Sequence, residues 1–238
     1  MSPEEPTAPR RAVIVAAHNE KDRIGATLDA LSGAFAGAEL LVADDASSDG
    51  TPEVAMQHGA WVVRRQRSHG KGGNVTAAAE AALGELDPDA IVLLCDSDLG
   101  STARELVPLV EAVERGECDL AVAAFARPEG GGFGVALGYA RRAIERLCGF
   151  EAAAPISGQR AMRASTLREL LPFAAGFGME LGMTVDAVGA GYRVGEIELP
   201  LAHRATGRTL GGFLHRARQL RDFRRAARAR RRHRLRSA

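Results

Sequence analysis

Apolar positions along this chain fall into two alternating patterns, short unbroken runs and stripes at helical spacing. Ala12 to Ala17 is an unbroken apolar run that stops at His18, Asn19 and Glu20. A run this short and continuous suits a strand buried on both faces of a parallel sheet. Lys21 to Ala34 then places Ile24, Leu28 and Leu31 on one helical face, and Glu39 to Ala43 returns to an apolar strand that stops at Asp44 and Asp45. The alternation continues with a strand at Trp61 to Val63, an Ala-rich helix from Asn74 to Leu83 and a fourth strand, Ala90 to Cys95, that runs into Asp96. Beyond it the pattern predicts a helix over Thr102 to Arg115, a strand over Asp119 to Phe125 and a helix over Gly138 to Cys148. Two further helices follow over Ala164 to Leu171 and Gly178 to Ala190, then a strand over Tyr192 to Leu199 and a basic helix from Leu210 onward. Gly130 to Gly132 reads as a mobile loop, and no internal repeat is present.

Strands alternating with helices predict an α/β protein with a mostly parallel central sheet flanked by helices. Ligands of such sheets bind at the carboxyl ends of the strands. Three of the first four strands end there in polar groups: Asn19 with Glu20, Asp44 with Asp45, and Asp96 with Asp98. That recurrence makes the carboxyl edge the candidate site.

Length and composition leave this picture intact in the body of the chain and change it at the ends. With 238 residues, 46% apolar and 26% charged, the chain has the makeup of one ordinary globular domain. No apolar run approaches the roughly 20 residues of a membrane span, and Met1 to Arg10 is Pro- and Glu-rich without the apolar segment of a signal peptide. A cytoplasmic location is therefore expected. Cys95, Cys118 and Cys148 lack paired spacing and read as small core residues rather than a disulfide or zinc set. The net charge of +1 conceals a tail, residues 214–238, with eleven arginines and one acid, Asp222. Such a tail is either a solvated helix end or a surface for a polyanion such as an anionic membrane.

The groups that could carry chemistry are few. Asp96, Ser97 and Asp98 put two carboxylates two residues apart just past a buried strand, where both can turn toward one hard divalent cation that keeps positions open for phosphate oxygens. Alone, Asp-x-Asp is more often a turn; two other acidic strand ends beside it favour the metal reading. In Asp44 to Thr51 the first Asp can accept hydrogen bonds from a base or ribose, while Ser47 to Thr51 forms a polar turn capping the next helix. Gly70 to Asn74 is a Gly-rich loop that lets backbone approach a phosphate, with Lys71 supplying charge in a chain of 29 arginines and only two lysines. Glu180, polar at the start of an apolar helix, is a candidate base or orienting group, or simply a helix N-terminal acid. His203 and Arg204 follow a strand and could complete a metal site and bind diphosphate.

These four ordered groups, Asn19-Glu20, Asp44 to Thr51, Gly70 to Gly72 and Asp96 to Asp98, resemble the family 2 glycosyltransferases of GT-A fold, over about residues 11 to 215. The usual Pro-x-Tyr-Asn-Glu opening is replaced by Ala16-Ala17-His18-Asn19-Glu20. The resemblance implies a single-domain, Rossmann-like GT-A fold at residues 11–212. Its nucleotide-binding half is 11–100 and its acceptor half 101–212, with a disordered N-terminus at 1–10 and an Arg-rich C-terminal helix at 213–238. It also implies that Ala17, Asn19, Glu20, Asp44, Lys71, Asp96 and Ser97 surround the nucleotide sugar, and that Asp98 and His203 hold Mg²⁺ or Mn²⁺. Asp98, Glu180 and Arg204 would serve catalysis, and Gly158, Gln159 and Arg160 the acceptor. Ile156 to Arg163, Gly176 to Gly182 and His203-Arg204 are similar to glucosyl-3-phosphoglycerate synthases, whereas Arg204, Gly207 and Thr209 before a basic helix are similar to polyprenyl-phosphate sugar synthases.

The function expected on this basis is metal-dependent transfer of a hexose from a nucleotide diphosphate sugar, UDP-glucose foremost, to 3-phosphoglycerate or a polyprenyl phosphate. A lipid acceptor would place the protein peripherally at the inner face of the membrane, and a homodimer stays open. One rival is a sugar-1-phosphate nucleotidyltransferase, which expects a Gly-rich, Arg-containing loop after the first strand where His18 to Lys21 stand. The other is a nucleic-acid-binding protein acting through the Arg tail; with aromatics at 5% and only Phe223 among the tail arginines, stacking recognition has little support.

Overall fold

The computed structural model describes residues 11–125, 134–201 and 210–237. The predicted Gly130 to Gly132 loop, His203, Arg204 and residues 1–10 lie outside them. The described residues form a seven-stranded sheet in the order β3-β2-β1-β4-β6-β5-β7. Its strands are β1 (Arg11–Ala17), β2 (Glu39–Asp44), β3 (Trp61–Arg64), β4 (Ile91–Asp96), β5 (Leu120–Phe125), β6 (Arg160–Arg163) and β7 (Val194–Leu199). All pairs are parallel except those of β6, which runs antiparallel to both β4 and β5. The short β6 escaped the sequence pattern because Arg160 to Arg163 has two arginines in four residues, yet its buried position between β4 and β5 covers three of the four.

Helices cover both faces. On one, α1 (Lys21–Ala34) and α4 (Val107–Glu114) bury Ile24, Leu28, Leu31, Leu109 and Val113 against Val13, Val15, Leu93 and Ala121. On the other, α3 (Gly70–Ala82), α6 (Ala164–Leu170) and α7 (Met179–Gly189) cover Ile14, Leu41, Leu94 and Val122. The short α2 (Thr51–Gln57) starts with Pro52 in its first turn, where a missing N–H costs nothing. The helix predicted over Thr102 to Arg115 divides into a 3₁₀ segment, Gly100–Leu106, and α4, with Pro108 in the first turn of α4.

A third apolar cluster lies where α5 (Gly134–Cys148), α7 and α8 (Leu210–Ser237) meet, around Ala140, Ile144, Leu181, Phe223 and Ala226. The Arg-rich helix is therefore docked on the domain along part of its length. Asp186 on α7 takes a bidentate ion pair from Arg230, which also donates to the Gly182 carbonyl. Cys95 and Cys118 are buried as expected, and Cys148 is half-buried. No helix among the described residues is long and apolar enough to cross a membrane.

Candidate functional site

Register brings the acidic strand ends together. Ala17 on β1 pairs with Asp44 on β2, and Ala16 pairs with Asp96 on β4, so the carboxyl ends of three adjacent strands present their polar residues along one edge. Asn19, in the left-handed region at φ 55°, turns the chain out of β1; its backbone N–H donates to Ser47 Oγ (2.9 Å) and its Oδ1 accepts from the Ser48 N–H (2.9 Å). The same segment caps α1 from a distance, because Thr51 Oγ1 accepts from the Glu20 N–H and Asp49 from the Lys21 N–H. Asp49 also accepts from the backbone and hydroxyl of Thr51. Its carboxyl sits below the ordinary carboxylate value: slight desolvation would raise it, but these hydrogen bonds prevail. Asp44 is fully buried; Oδ2 accepts from the Ser47 N–H at 3.2 Å, while Oδ1 has no hydrogen-bond partner among the described residues.

The predicted Gly-rich loop is instead the first turn of α3, which begins at Gly70 rather than Asn74. The reason is a cap from another strand: Asp45 accepts from Ser68 Oγ (2.7 Å) and from the N–H groups of His69 (2.8 Å) and Gly70 (3.0 Å). The helical turn aims Lys71 inward, where Nζ meets Asp96 Oδ1 at 2.5 Å and Glu180 Oε1 at 2.8 Å. Burial alone would lower the Lys71 pKa, but the two carboxylates more than offset it and hold the ammonium well above its ordinary range. Asp96 Oδ2 in turn accepts from Gln159 Nε2 at 2.8 Å, and Gln159 Oε1 accepts from Ser157 Oγ. A side chain at Gly158 would put its Cβ 2.4 Å from Lys71 Nζ and 2.5 Å from Asp96 Oδ2, so glycine is what lets this turn close over the pair.

Arg160, grouped with Gly158 and Gln159 as an acceptor contact, has no exposed surface. Its guanidinium donates to the Ser157 carbonyl (2.9 Å) and to Thr184 Oγ1 (3.0 Å), bracing the turn from beneath. Burial pushes its pKa down to about 10, with Glu180 and then Glu196 opposing that. Ser97 is buried and its carbonyl accepts from Thr27 Oγ1 at 2.8 Å; the same hydroxyl accepts from the Gly100 N–H at 2.9 Å. Thr27 thus ties α1 to both sides of the Asp96 to Asp98 turn. The apolar stripe of α1 hid it, although a hydroxyl one position before Leu28 on a buried face was the available signal. Asp98 is half-buried, and its charge adds to burial and Asp96 in raising the Cys95 thiol. Among the described residues no three His, Cys, Asp or Glu side chains converge on one point. Asp98, just past Asp96, is a carboxylate of the hard-oxygen kind that could hold Mg²⁺ or Mn²⁺ with phosphate oxygens completing the shell.

Order of motifs, fold and strand-end carboxylates all point one way, and the sequence model described as Glycosyl transferase family 2 matches residues 12–171. The chain belongs to this glycosyltransferase family. It is 31% identical over 202 residues to the glucosyl-3-phosphoglycerate synthase of Mycolicibacterium paratuberculosis, covering 74% of this chain and 59% of that protein. The chain thus spans less than two thirds of that relative's length. It is 29% identical over 214 residues to the undecaprenyl-phosphate mannosyltransferase of Micrococcus luteus, covering 83% of this chain and 86% of that one. Its fold superposes with a TM-score of 0.75 and 27% identity on glucosyl-3-phosphoglycerate synthase of Mycobacterium tuberculosis in complex with Mn²⁺, UDP and phosphoglyceric acid. That match covers 92% of this chain and 78% of the other.

Proposed function

We propose that this family 2 glycosyltransferase moves a hexose from a nucleotide diphosphate sugar, UDP-glucose, to a phosphate-bearing acceptor, 3-phosphoglycerate or a polyprenyl phosphate. The observation that carries it is Lys71 held between Asp96 and Glu180 at the carboxyl edge of the sheet, beside Asp98. A buried ammonium at that point supplies fixed positive charge for a departing diphosphate, and Asp96 and Glu180 keep it charged and aimed. The solved relative with Mn²⁺, UDP and phosphoglyceric acid supports the same class of donor, metal and acceptor here.

In this reading Ala17, Asn19, Glu20, Asp44 and Ser97 surround the nucleotide, and the unpartnered buried Oδ1 of Asp44 is an acceptor available to a base N–H. Asp98 and His203 would hold Mg²⁺ or Mn²⁺, which when bound neutralises charge on the diphosphate. Arg204 adds charge, and Gly158 and Gln159 face the acceptor over Lys71. An acceptor phosphate oxygen is already nucleophilic, whereas an acceptor hydroxyl must lose its proton as the sugar C1–O bond to diphosphate breaks. A polyprenyl acceptor would bring the domain to a membrane surface.

The test is release of nucleoside diphosphate from a panel of nucleotide sugars, with Mg²⁺ or Mn²⁺ and each acceptor. Wild type is expected to turn over UDP-glucose with one of the acceptors, and Asp98→Ala to lose metal-dependent turnover while keeping the wild-type melting temperature. Undiminished turnover in Asp98→Ala would overturn the assignment.

A further inference from the structure

Beside the Lys71 cluster, on the other side of the Gly70 to Gly176 contact, a groove of about 570 Å³ opens between the start of α3, the 174–176 turn and one face of α8. Its lining includes Ser68, His69, Arg218, Arg221, Arg225 and the single acid Asp222. The spacing 218, 221 and 225 is the i, i+3, i+7 pattern that puts all three arginines on one helical face. They do not balance one another with carboxylates. Arg221 leans on Asp222 at 3.3 Å, and Asp222 is already shared with the Phe177 N–H at 3.4 Å. Arg230 at the far end is spent on Asp186. Arg218 and Arg225 meet no acid among the described residues, are exposed, and line one cavity. Solubility does not require this: α8 also carries exposed Arg224, Arg228, Arg231 and Arg232, none of which lines the groove.

The walls are shaped to admit a ligand close to backbone. A Cβ on Gly176 would stand 2.4 Å from Asp222 Oδ2, and one on Gly178 would stand 2.8 Å from the Ala226 methyl, so only this Gly-rich turn lets α8 lie this near. The groove floor is consequently main chain and small side chains, and among the described residues its Arg and Asp side chains all come from α8.

We infer that this groove is a binding site for a phosphate monoester, held by Arg218 and Arg225 with Arg221 between them. Guanidinium forks match phosphate oxygens in pairs, which a dianionic monoester offers and a monoanionic diester offers less well. One residue, Gly70, separates the groove from Lys71, so a phosphate lodged here would sit beside the donor site proposed above, and the inference refines the acceptor class of that reading. The phosphate could be carried by a soluble metabolite or by a lipid.

Binding without any sugar nucleotide tests this separately from transfer. The full chain is titrated calorimetrically with glycerol 3-phosphate, and floated with phosphatidylcholine vesicles containing phosphatidic acid or, at matched charge, phosphatidylglycerol. Arg218→Gln/Arg225→Gln is expected to weaken monoester binding by roughly ten-fold or more. Arg228→Gln/Arg231→Gln, at positions that do not line the groove, removes the same charge and should leave it unchanged. Binding of glycerol 3-phosphate identifies a soluble source; preference for phosphatidic acid over phosphatidylglycerol, without glycerol 3-phosphate binding, identifies a lipid. Equal losses in the two double variants, equal binding of both vesicle types without glycerol 3-phosphate binding, or no binding to any probe would overturn the site. Neither double variant removes a contact that holds the fold, and equal melting temperatures verify that. A failed groove would leave the Asp98→Ala result standing, and the converse holds.

Discussion

Gly158→Ala adds one methyl at the point where the site is tightest. Its Cβ would stand 2.4 Å from Lys71 Nζ, 2.5 Å from Asp96 Oδ2 and 3.0 Å from Asp96 Cγ, about 1 Å inside ordinary van der Waals separation. A lysine head would normally swing aside at little cost. Here it is pinned by two carboxylates, and Asp96 is itself fixed by Gln159, so relief must stretch at least one of the three contacts. Overpacking of this kind costs about 1–3 kcal/mol, a melting shift of roughly 2–4 °C per kcal/mol for a chain of this size. The larger effect is on chemistry, because displacing a charged group by about 1 Å can cost about 10²-fold in rate. The assay is kcat/KM for nucleoside diphosphate release, beside thermal melting of the same preparations. Gly72→Ala is the comparison: its Cβ would meet the Ala174 carbonyl oxygen within 2 Å, backbone that cannot yield, and should lower stability more than Gly158→Ala does. Gly158→Ala with wild-type kcat/KM would refute the claim that the Lys71–Asp96 pair is held in working geometry by this turn.

Glu180→Gln removes one of the carboxylates that raise Lys71, so the lysine should titrate at lower pH than in wild type, read by the pH dependence of amine acylation with Asp96 intact; an unchanged profile would mean Glu180 does not hold it. Phe223→Ala empties a fully buried position between α5, α7 and α8, and a loss of about 3–5 kcal/mol is expected in denaturant unfolding. A loss under about 1 kcal/mol would mean that α8 is not docked through this side chain. Asp119 lies below its ordinary value of 3.8, chiefly through hydrogen bonds from Arg193, against a desolvation effect of opposite sign. A depressed folded pKa means that its contribution is present above pH 3.8 and disappears as pH falls through the folded value. Wild type should therefore exceed Asp119→Asn in stability at neutral pH and converge with it in acid; a difference that stays constant as pH falls from neutral through the acid range would contradict this.

Most of the architecture was legible because its strands are buried on both faces and so appear as unbroken apolar runs, with α1 bounded at Lys21 and Ala34 as the pattern predicted. What escaped was set by partners distant in sequence. The start of α3 moved four residues toward the N-terminus because Asp45, on another strand end, caps His69 and Gly70. β6 was hidden because Arg160 is charged yet fully buried, held through Nε and Nη1 by Ser157 and Thr184, which no local pattern announces. The basic end of the chain read as a solvated tail or an anion surface. Its spacing does contain the buried stripe Gln219, Asp222, Phe223 and Ala226, but eleven arginines outweigh those few positions in any sum over the window.

The residues of the site divide by the same logic. Asp96 was legible as half of an Asp-x-Asp, and that pattern assigns it to a metal. In the fold both of its oxygens are engaged by protein, Oδ1 by Lys71 and Oδ2 by Gln159. In the function proposed above Asp98, rather than Asp96, holds the metal, so the two aspartates have different roles there. Glu180 divides similarly. Spacing left it as a base or a helix-terminal acid, whereas its contact with Lys71 makes it a positioning residue whose removal acts through the lysine. A general base must reach the acceptor proton, and a carboxylate that is almost wholly buried and already paired is poorly placed to do so. In the function proposed above, the diphosphate departs toward the fixed Lys71 ammonium.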